Sequence, residues 1–344
     1  MSDEFLPFSR PLISRSAIDE VVACLESGWI ATGPRVAQFT ENLQRYLGAP
    51  LVLPLATATA GLHLALLAMD LQPGDEVITT PLTFAATLNV IVLAGATPVL
   101  VDIDPRTLNM DPDAVENAIT DKTRVIMPVH FAGLPMDLDV IYDLAEKYDL
   151  RVLEDAAHAI GAEYKGKRIG SFGDTQVFSF HPNKNMTTGE GGCVATRDEA
   201  LAKKIMQLCF HGIDRESWNR FGKNGTQDYD IVLPGYKYNM TDIQAALGLH
   251  QLNDLESFIE RRTDLANRYQ EVLGDWAEWT LPGEPMFSHR HAWHLYTPLL
   301  NEAEAGMDRD AFMLRMKEKN IGTGLHYRAA HLYSYYREKS GFDP

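Results

Sequence analysis

Cysteine is scarce here. The 344 residues hold three, Cys24, Cys193 and Cys209. Three so widely spaced make neither a disulfide framework nor a zinc site, and each is expected as a small buried hydrophobe. Basic charge is also short: 31 Lys and Arg stand against 47 Asp and Glu, a net charge of -16. Such a surface repels nucleic acids and anionic membranes unless a local basic patch intervenes. The longest basic run, KGKR at 165–168, reads as a solvated turn. No apolar run approaches the ~18 residues of a membrane span. The opening MSDEFLPFSRP is acidic and lacks the apolar centre of a secretion signal. A cytoplasmic enzyme or binding protein for small molecules is the class that remains. Internal repeats and low-complexity segments are missing as well.

What the chain does have is alternation. TAGLHLALLAMDL reads as a helix, DEVITT as a strand, TFAATLNVIVLAG as a helix ending at glycine, and TPVLVDID as a strand. DPDAVENAI opens a helix with a capping aspartate and a proline at the first position. TRVIMPVHF, MDLDVIYDLAEKYD and LRVLEDAA continue as strand, helix, strand. This pattern predicts an α/β fold with parallel strands and crossover helices on both sheet faces. After Asn239 helical spacing persists for some thirty residues, from TDIQAAL to YQEVL. HAWHLYTPLL and IGTGLHYR then read as strands around the helix DRDAFMLRMKEKN. The expected division is a large domain, 1–247, and a smaller C-terminal α/β domain, 248–344.

Parallel sheets bind ligands at the carboxyl ends of their strands, and four such ends carry unusual residues. ATATAG at 56–61 enters a helix, and its backbone N–H groups, at Thr59 and Ala60, suit a phosphate as well as a plain helix cap. In LEDAAHAIG, Glu154 and Asp155 close an apolar strand. A carboxylate buried there needs a partner, such as a protonated heterocyclic nitrogen. His158 is placed to touch the same ligand or to orient Asp155. In FSFHPNKNMTTGEGG, Lys184 follows the strand TQVFSF, with Ser179 and His181 expected on one side of it. A lysine held in such a place loses pKa and becomes a nucleophile, although a surface lysine on a glycine-rich hairpin has the same pattern. In TPLTFAATLN, Phe84 is an aromatic ring that can stack on a planar ligand or join the core. An anion turn, a buried carboxylate, a ring clamp and an isolated lysine are together what pyridoxal 5'-phosphate (PLP) requires.

The same segments carry a resemblance. SGWIATGP, ATATAGLHLAL, PGDEVITTPLTFAATLN, VLEDAAHAIGAEYKGKRIG, FSFHPNKNMTTGEGG and PGYKYNMTDIQAALGL follow the pattern of the DegT/DnrJ/StrS sugar aminotransferases over residues 5–337. The resemblance implies a fold-type I PLP-dependent transferase, with a mostly parallel seven-stranded sheet and a small C-terminal domain. It is strongest toward the branch that moves the amino group of glutamate onto a UDP-linked 4-keto pentose, on EFLPFSRP, HAWHL and IGTGLHYRAAH. Carried over by motif, Lys184 is the Schiff-base lysine and proton carrier, and Asp155 holds the pyridinium nitrogen. His158 lies near the cofactor's phenolic oxygen or beside Asp155. Thr59, Ala60 and Ser179 bind the phosphate, and Phe84 stacks on the ring where that branch has tryptophan. Asn239 reaches the phosphate of a neighbouring subunit, which implies a homodimer with a shared site. His181, His326 and Arg328 are candidates for substrate contacts. The chain stops at GFDP, short of the family pattern, so its small domain is expected to be truncated. A transaminase of small amines, aldehydes or another keto sugar fits the same residues. A dehydratase of related sequence does not, because there histidine replaces the lysine.

Overall fold

The computed structural model describes residues 4–214 and 229–340. Seven strands form the central sheet: β1 (Leu51–Leu55), β2 (Glu76–Thr79), β3 (Thr97–Leu100), β4 (Thr123–Ile126), β5 (Arg151–Asp155), β6 (Thr175–Ser179) and β7 (Gly192–Thr196). They lie in the order β1-β7-β6-β5-β4-β2-β3. The pairings from β3 across to β6 are parallel, and β7 runs antiparallel to both β6 and β1. The connection between β6 and β7, residues 180–191, holds no helix, so the chain returns antiparallel instead of crossing over. Six strands therefore end on one sheet edge, where β7 begins.

The two-residue period of the strands divides the core into two layers. On one face α3 (Ala58–Ala68), α4 (Ala85–Leu93) and α7 (Glu199–Cys209) pack onto Val77, Val125, Leu153 and Val177. On the other, α2 (Pro34–Leu47), α6 (Leu138–Tyr148) and α8 (Asp242–Leu273) cover Ile78, Ile126, Val152 and Phe178. Helix α3 is apolar around most of its circumference because sheet, α4 and α7 all enclose it. The short α5 (Pro112–Ala118) starts as the sequence predicts: Asp111 caps it through the Asp113 N–H at 3.0 Å, with Pro112 at the first position. Helix α8 runs 32 residues from a capping box between Thr241 and Gln244, and lies across α2 and α1 (Arg15–Glu26).

Two strand expectations are corrected. Of HAWHLYTPLL, only Leu299–Leu300 is strand, paired with Trp279–Thr280. The preceding backbone bonds go elsewhere: the Ala292 and Leu295 N–H groups donate to Gly133 O and Ala132 O, at 2.9 and 3.2 Å. Of IGTGLHYR, Ile321 alone forms a bridge, to Leu6, because the N-terminal arm pairs there. Of the KGKR run only Lys165 and Gly166 are a turn; Lys167–Arg168 is a short strand paired with Glu163–Tyr164, and Arg168 is part-buried against Glu256 instead of solvated. All three cysteines are buried and free.

Candidate active site

Lys184 lies just past the end of β6, in a turn closed by its N–H donating to His181 O at 2.9 Å. Burial pushes its pKa down from 10.5 to about 8, while the carboxylate of Asp155 works to hold it up. A lysine so placed keeps a reactive neutral fraction near neutral pH. Its Nζ is 3.5 Å from His294 Nε2.

Asp155 ends β5, the strand beside β6. It is buried, and neutral donors hold both oxygens: Thr87 Oγ1 donates to Oδ2 at 2.8 Å and the Ala157 N–H to Oδ1 at 3.1 Å. Burial raises its pKa; those two bonds and the charge of Lys184 oppose the rise. The next strand position behind it serves the opposite face. Glu154 accepts from Tyr142 Oη at 2.7 Å and Gln176 Nε2 at 2.6 Å, and meets His130 Nε2 at 2.8 Å. His130 Nδ1 accepts the Met136 N–H at 3.0 Å, so the proton toward Glu154 sits on Nε2. This satisfied network fixes the strand ends from below.

His158 does not bond Asp155. Its Nδ1 accepts the Ala132 N–H at 3.2 Å, which places its proton on Nε2, facing Tyr327 Oη at 3.1 Å. Burial holds this ring neutral, well below the usual histidine range. His294 packs against it, ring centroids 4.4 Å apart.

Thr57 caps α3, its Oγ1 accepting the Ala60 N–H at 3.0 Å. That bond engages the Ala60 N–H, leaving those of Ala58 and Thr59 at the helix start. Leu55 pairs with Gly192, and Gly192 with Ser179, so Ser179 lies across one glycine from this turn. A Cβ on Gly192 would stand 2.5 Å from Ala58 N and 2.6 Å from Phe178 O. Only glycine lets the helix start, β7 and β6 converge so closely. Asn239 bridges Leu55, donates from Nδ2 to Thr32 Oγ1 at 2.7 Å, and accepts from Lys237 Nζ at 2.6 Å. It thus sits beside the turn of its own chain.

Phe84, the N-cap residue of α4, is 59% exposed, its ring 6.0 Å from Tyr327. An exposed ring at the rim has no core role. His181 is exposed and lies beyond the last residue of β6, with Nδ1 at 2.9 Å from Asn183 Oδ1. The two-residue strand period therefore does not extend to it, and its backbone N–H donates to Ser179 Oγ at 3.4 Å. His326 is half-buried, stacks on Phe8, and has its pKa lowered by burial and by the charge of Lys184. Arg328 is exposed and donates to Leu332 O at 3.0 Å. Three contributors escaped sequence reasoning: Thr87, His294 and Tyr327. The signal for Thr87 was a lone hydroxyl inside an apolar buried helix. Nothing local marks the other two, which arrive from beyond α8.

These residues fit PLP. Asp155 is buried with neutral donors and no contact ion pair among the described residues, and a protonated ring nitrogen is the cation such a carboxylate lacks. Free N–H groups at the start of an eleven-residue helix supply a phosphate site three strands away.

A sequence profile of the DegT/DnrJ/EryC1/StrS aminotransferase family matches residues 11–344. The spore coat polysaccharide biosynthesis protein SpsC of Bacillus subtilis is 46% identical over 345 residues, covering 99% of this chain and 87% of SpsC. Among solved structures, Spr1654 of Streptococcus pneumoniae in its PLP form is 35% identical with a TM-score of 0.89, over 98% of this chain and 88% of that one. The same protein is solved in a PMP form. Helicobacter pylori PseC, an aminotransferase involved in the biosynthesis of pseudoaminic acid, is 29% identical with a TM-score of 0.91, over 99% and 90%.

Proposed function

The chain belongs to the DegT/DnrJ/EryC1/StrS aminotransferase family of PLP-dependent enzymes with the fold-type I sheet, and from that premise we propose that it moves the amino group of glutamate onto a nucleotide-linked keto sugar. A UDP-linked 4-keto pentose is the favoured acceptor. The observation that carries the reading is the pairing of Lys184, its pKa lowered to about 8, with the buried Asp155 on adjacent strand ends. PLP supplies the electron sink when bound. Lys184 would take the proton from Cα of the donor and carry it as general base and acid. Asp155 keeps the ring nitrogen protonated, with Thr87 holding the carboxylate in place. The starts of α3 and Ser179 hold the phosphate, and Phe84 covers the ring from the rim. His158, neutral and anchored to Ala132, keeps that wall of the pocket uncharged. His326, Arg328 and His181 are the groups we assign to the sugar nucleotide.

The likeness of EFLPFSRP, HAWHL and IGTGLHYRAAH to UDP-4-amino-4-deoxy-L-arabinose–oxoglutarate aminotransferase supports the pentose, and with it a product used in lipid A modification. The relatives SpsC and PseC are named for roles in polysaccharide and pseudoaminic acid biosynthesis, which supports a sugar acceptor more broadly. A homodimer with a shared site is part of the reading. Exposed Ile18, Val22 and Leu25 line one side of α1, while Ala17 and Cys24 face inward, and a second copy would cover that stripe. We place the enzyme in the cytoplasm, where its nucleotide-linked substrates are made; no helix among the described residues is long and apolar enough to cross a membrane. Coupled assays with glutamate and a UDP-linked 4-keto pentose, set against simple diamines, test the acceptor. Amino transfer from a simple diamine, with no amination of the sugar nucleotide, would overturn it.

A further inference from the structure

The loop that follows α8 brings one imidazole to the amine of Lys184, and nothing in its sequence marks it for that place. His294 is buried, with Nε2 3.5 Å from Lys184 Nζ. That is the outer limit of a hydrogen bond, a length common before substrate tightens a site. Its other nitrogen, Nδ1, is buried and has no hydrogen-bond partner. The ring is therefore not held by polar bonds of its own. Its loop is held instead. The Ala292 and Leu295 N–H groups bond Gly133 O and Ala132 O. Asn185 Nδ2, on the residue after the lysine, donates to Ala292 O at 2.6 Å. From α8, Arg262 Nη1 donates to Trp293 O and His294 O at 3.1 and 3.0 Å. Trp293 sits at a φ of 48°, a left-handed conformation that non-glycine residues adopt at a cost, directly before His294. Strained backbone and five anchoring bonds thus deliver a ring whose one polar contact is the reactive amine.

We propose that His294 is a positioning residue for Lys184: its Nε2 accepts an N–H of the lysine and aims the amine's lone pair at the reacting carbon. The inference rests on the reading of Lys184 as the amino-transfer lysine. With Nε2 accepting, the histidine proton sits on Nδ1 and the ring is neutral, as its burial and the neighbouring charges of Lys184 and Arg262 require. A neutral amine that gives one N–H to a fixed acceptor keeps its lone pair free and oriented, so no time is lost to rotation about the last side-chain bond. The groups that face this pair are Asp155 from β5, His158 from the turn after it, His326 and Tyr327 from the C-terminal segment, Arg262 from α8 and His130 from the turn after β4.

Two variants of similar size separate an acceptor from a packing role. His294→Gln keeps an acceptor; His294→Met keeps the volume and loses it. The readouts use cofactor-free protein and no amino donor or acceptor, so they stand whatever the sugar assay gives. One is the pH midpoint of Lys184, from the rate of its reductive methylation. The other is the rate of PLP capture at a pH where the amine is neutral. An acceptor favours the ammonium more than the amine, so its loss lowers the midpoint. The expected result for His294→Met is a midpoint about one unit lower, a tenfold change in proton affinity, with capture slowed about tenfold. His294→Gln should stay within about threefold of wild type on both. A midpoint that stays put or rises in a folded His294→Met protein overturns the proposal, since loosened packing admits water and raises it. A His294→Gln protein that behaves like His294→Met overturns it too.

Discussion

Lys184 and Asp155 oppose each other across adjacent strand ends, and each carries a burial cost that the other reduces. The lysine's pKa is about 8 folded, against an ordinary 10.5. Between those values the unfolded chain binds the proton that the folded protein sheds, so the cofactor-free protein gains stability as pH rises through this window. Below about 8 the full cost of the buried cation is present. Lys184→Met should therefore exceed wild type in urea midpoint below that pH, by on the order of 3 kcal/mol, with the gap closing above the ordinary lysine value. A gap that does not change with pH contradicts the buried amine. Asp155→Asn removes the charge that holds the lysine pKa up. Its Lys184 midpoint should fall below about 8, and turnover should drop by about a hundredfold or more once the ring nitrogen loses its acid partner. In the sequence the aspartate stood out as a carboxylate ending an apolar strand, while Lys184 alone read equally as a surface residue and gained weight only beside Asp155, the phosphate turn and Phe84. Thr87 was only half legible, since a threonine in a buried helix reads equally as packing.

At the scale of elements, the site depends on how closely three pieces of backbone approach. Gly192 stands between the start of α3 and the end of β6. Gly192→Ala would force Cβ to within 2.6 Å of two backbone atoms, Ala58 N and Phe178 O, neither of which can rotate away. A loss of about 2–4 kcal/mol in denaturant unfolding is expected, together with weaker PLP binding as the phosphate turn shifts. An unchanged protein would mean that the turn and β6 are less tightly joined. Strands and helices of the sheet were readable because their apolar periods are local properties. The direction of β7 was not, because Gly192–Thr196 pairs equally well either way and the missing crossover helix decides it. The HAWHL segment looked like a strand because it is apolar, but its order comes from bonds to Ala132, Gly133, Asn185 and Arg262, all remote in sequence. His294 and Tyr327 were missed for that reason: their placement is a tertiary fact.

For the whole molecule, the acidic net charge disfavours nucleic acid as a partner, and the fold puts the candidate site on one sheet edge. The apolar stripe on α1 is one feature that the single chain leaves uncovered. Ile18→Asp with Val22→Asp should convert a dimer to a monomer in sedimentation and remove turnover, while the thermal melt of the chain itself stays cooperative. A monomeric wild type, or a fully active double variant that remains dimeric, contradicts the shared site. The central claim is that Lys184 hands an amino group to a nucleotide-linked keto sugar. Its most direct test is mass-spectrometric detection of the aminated sugar nucleotide after incubating the PLP-loaded protein with glutamate and a UDP-linked 4-keto pentose, wild type beside Lys184→Ala. The account predicts product with matching 2-oxoglutarate from wild type, and none from the variant. Product from Lys184→Ala, or no aminated sugar nucleotide from wild type, would contradict it.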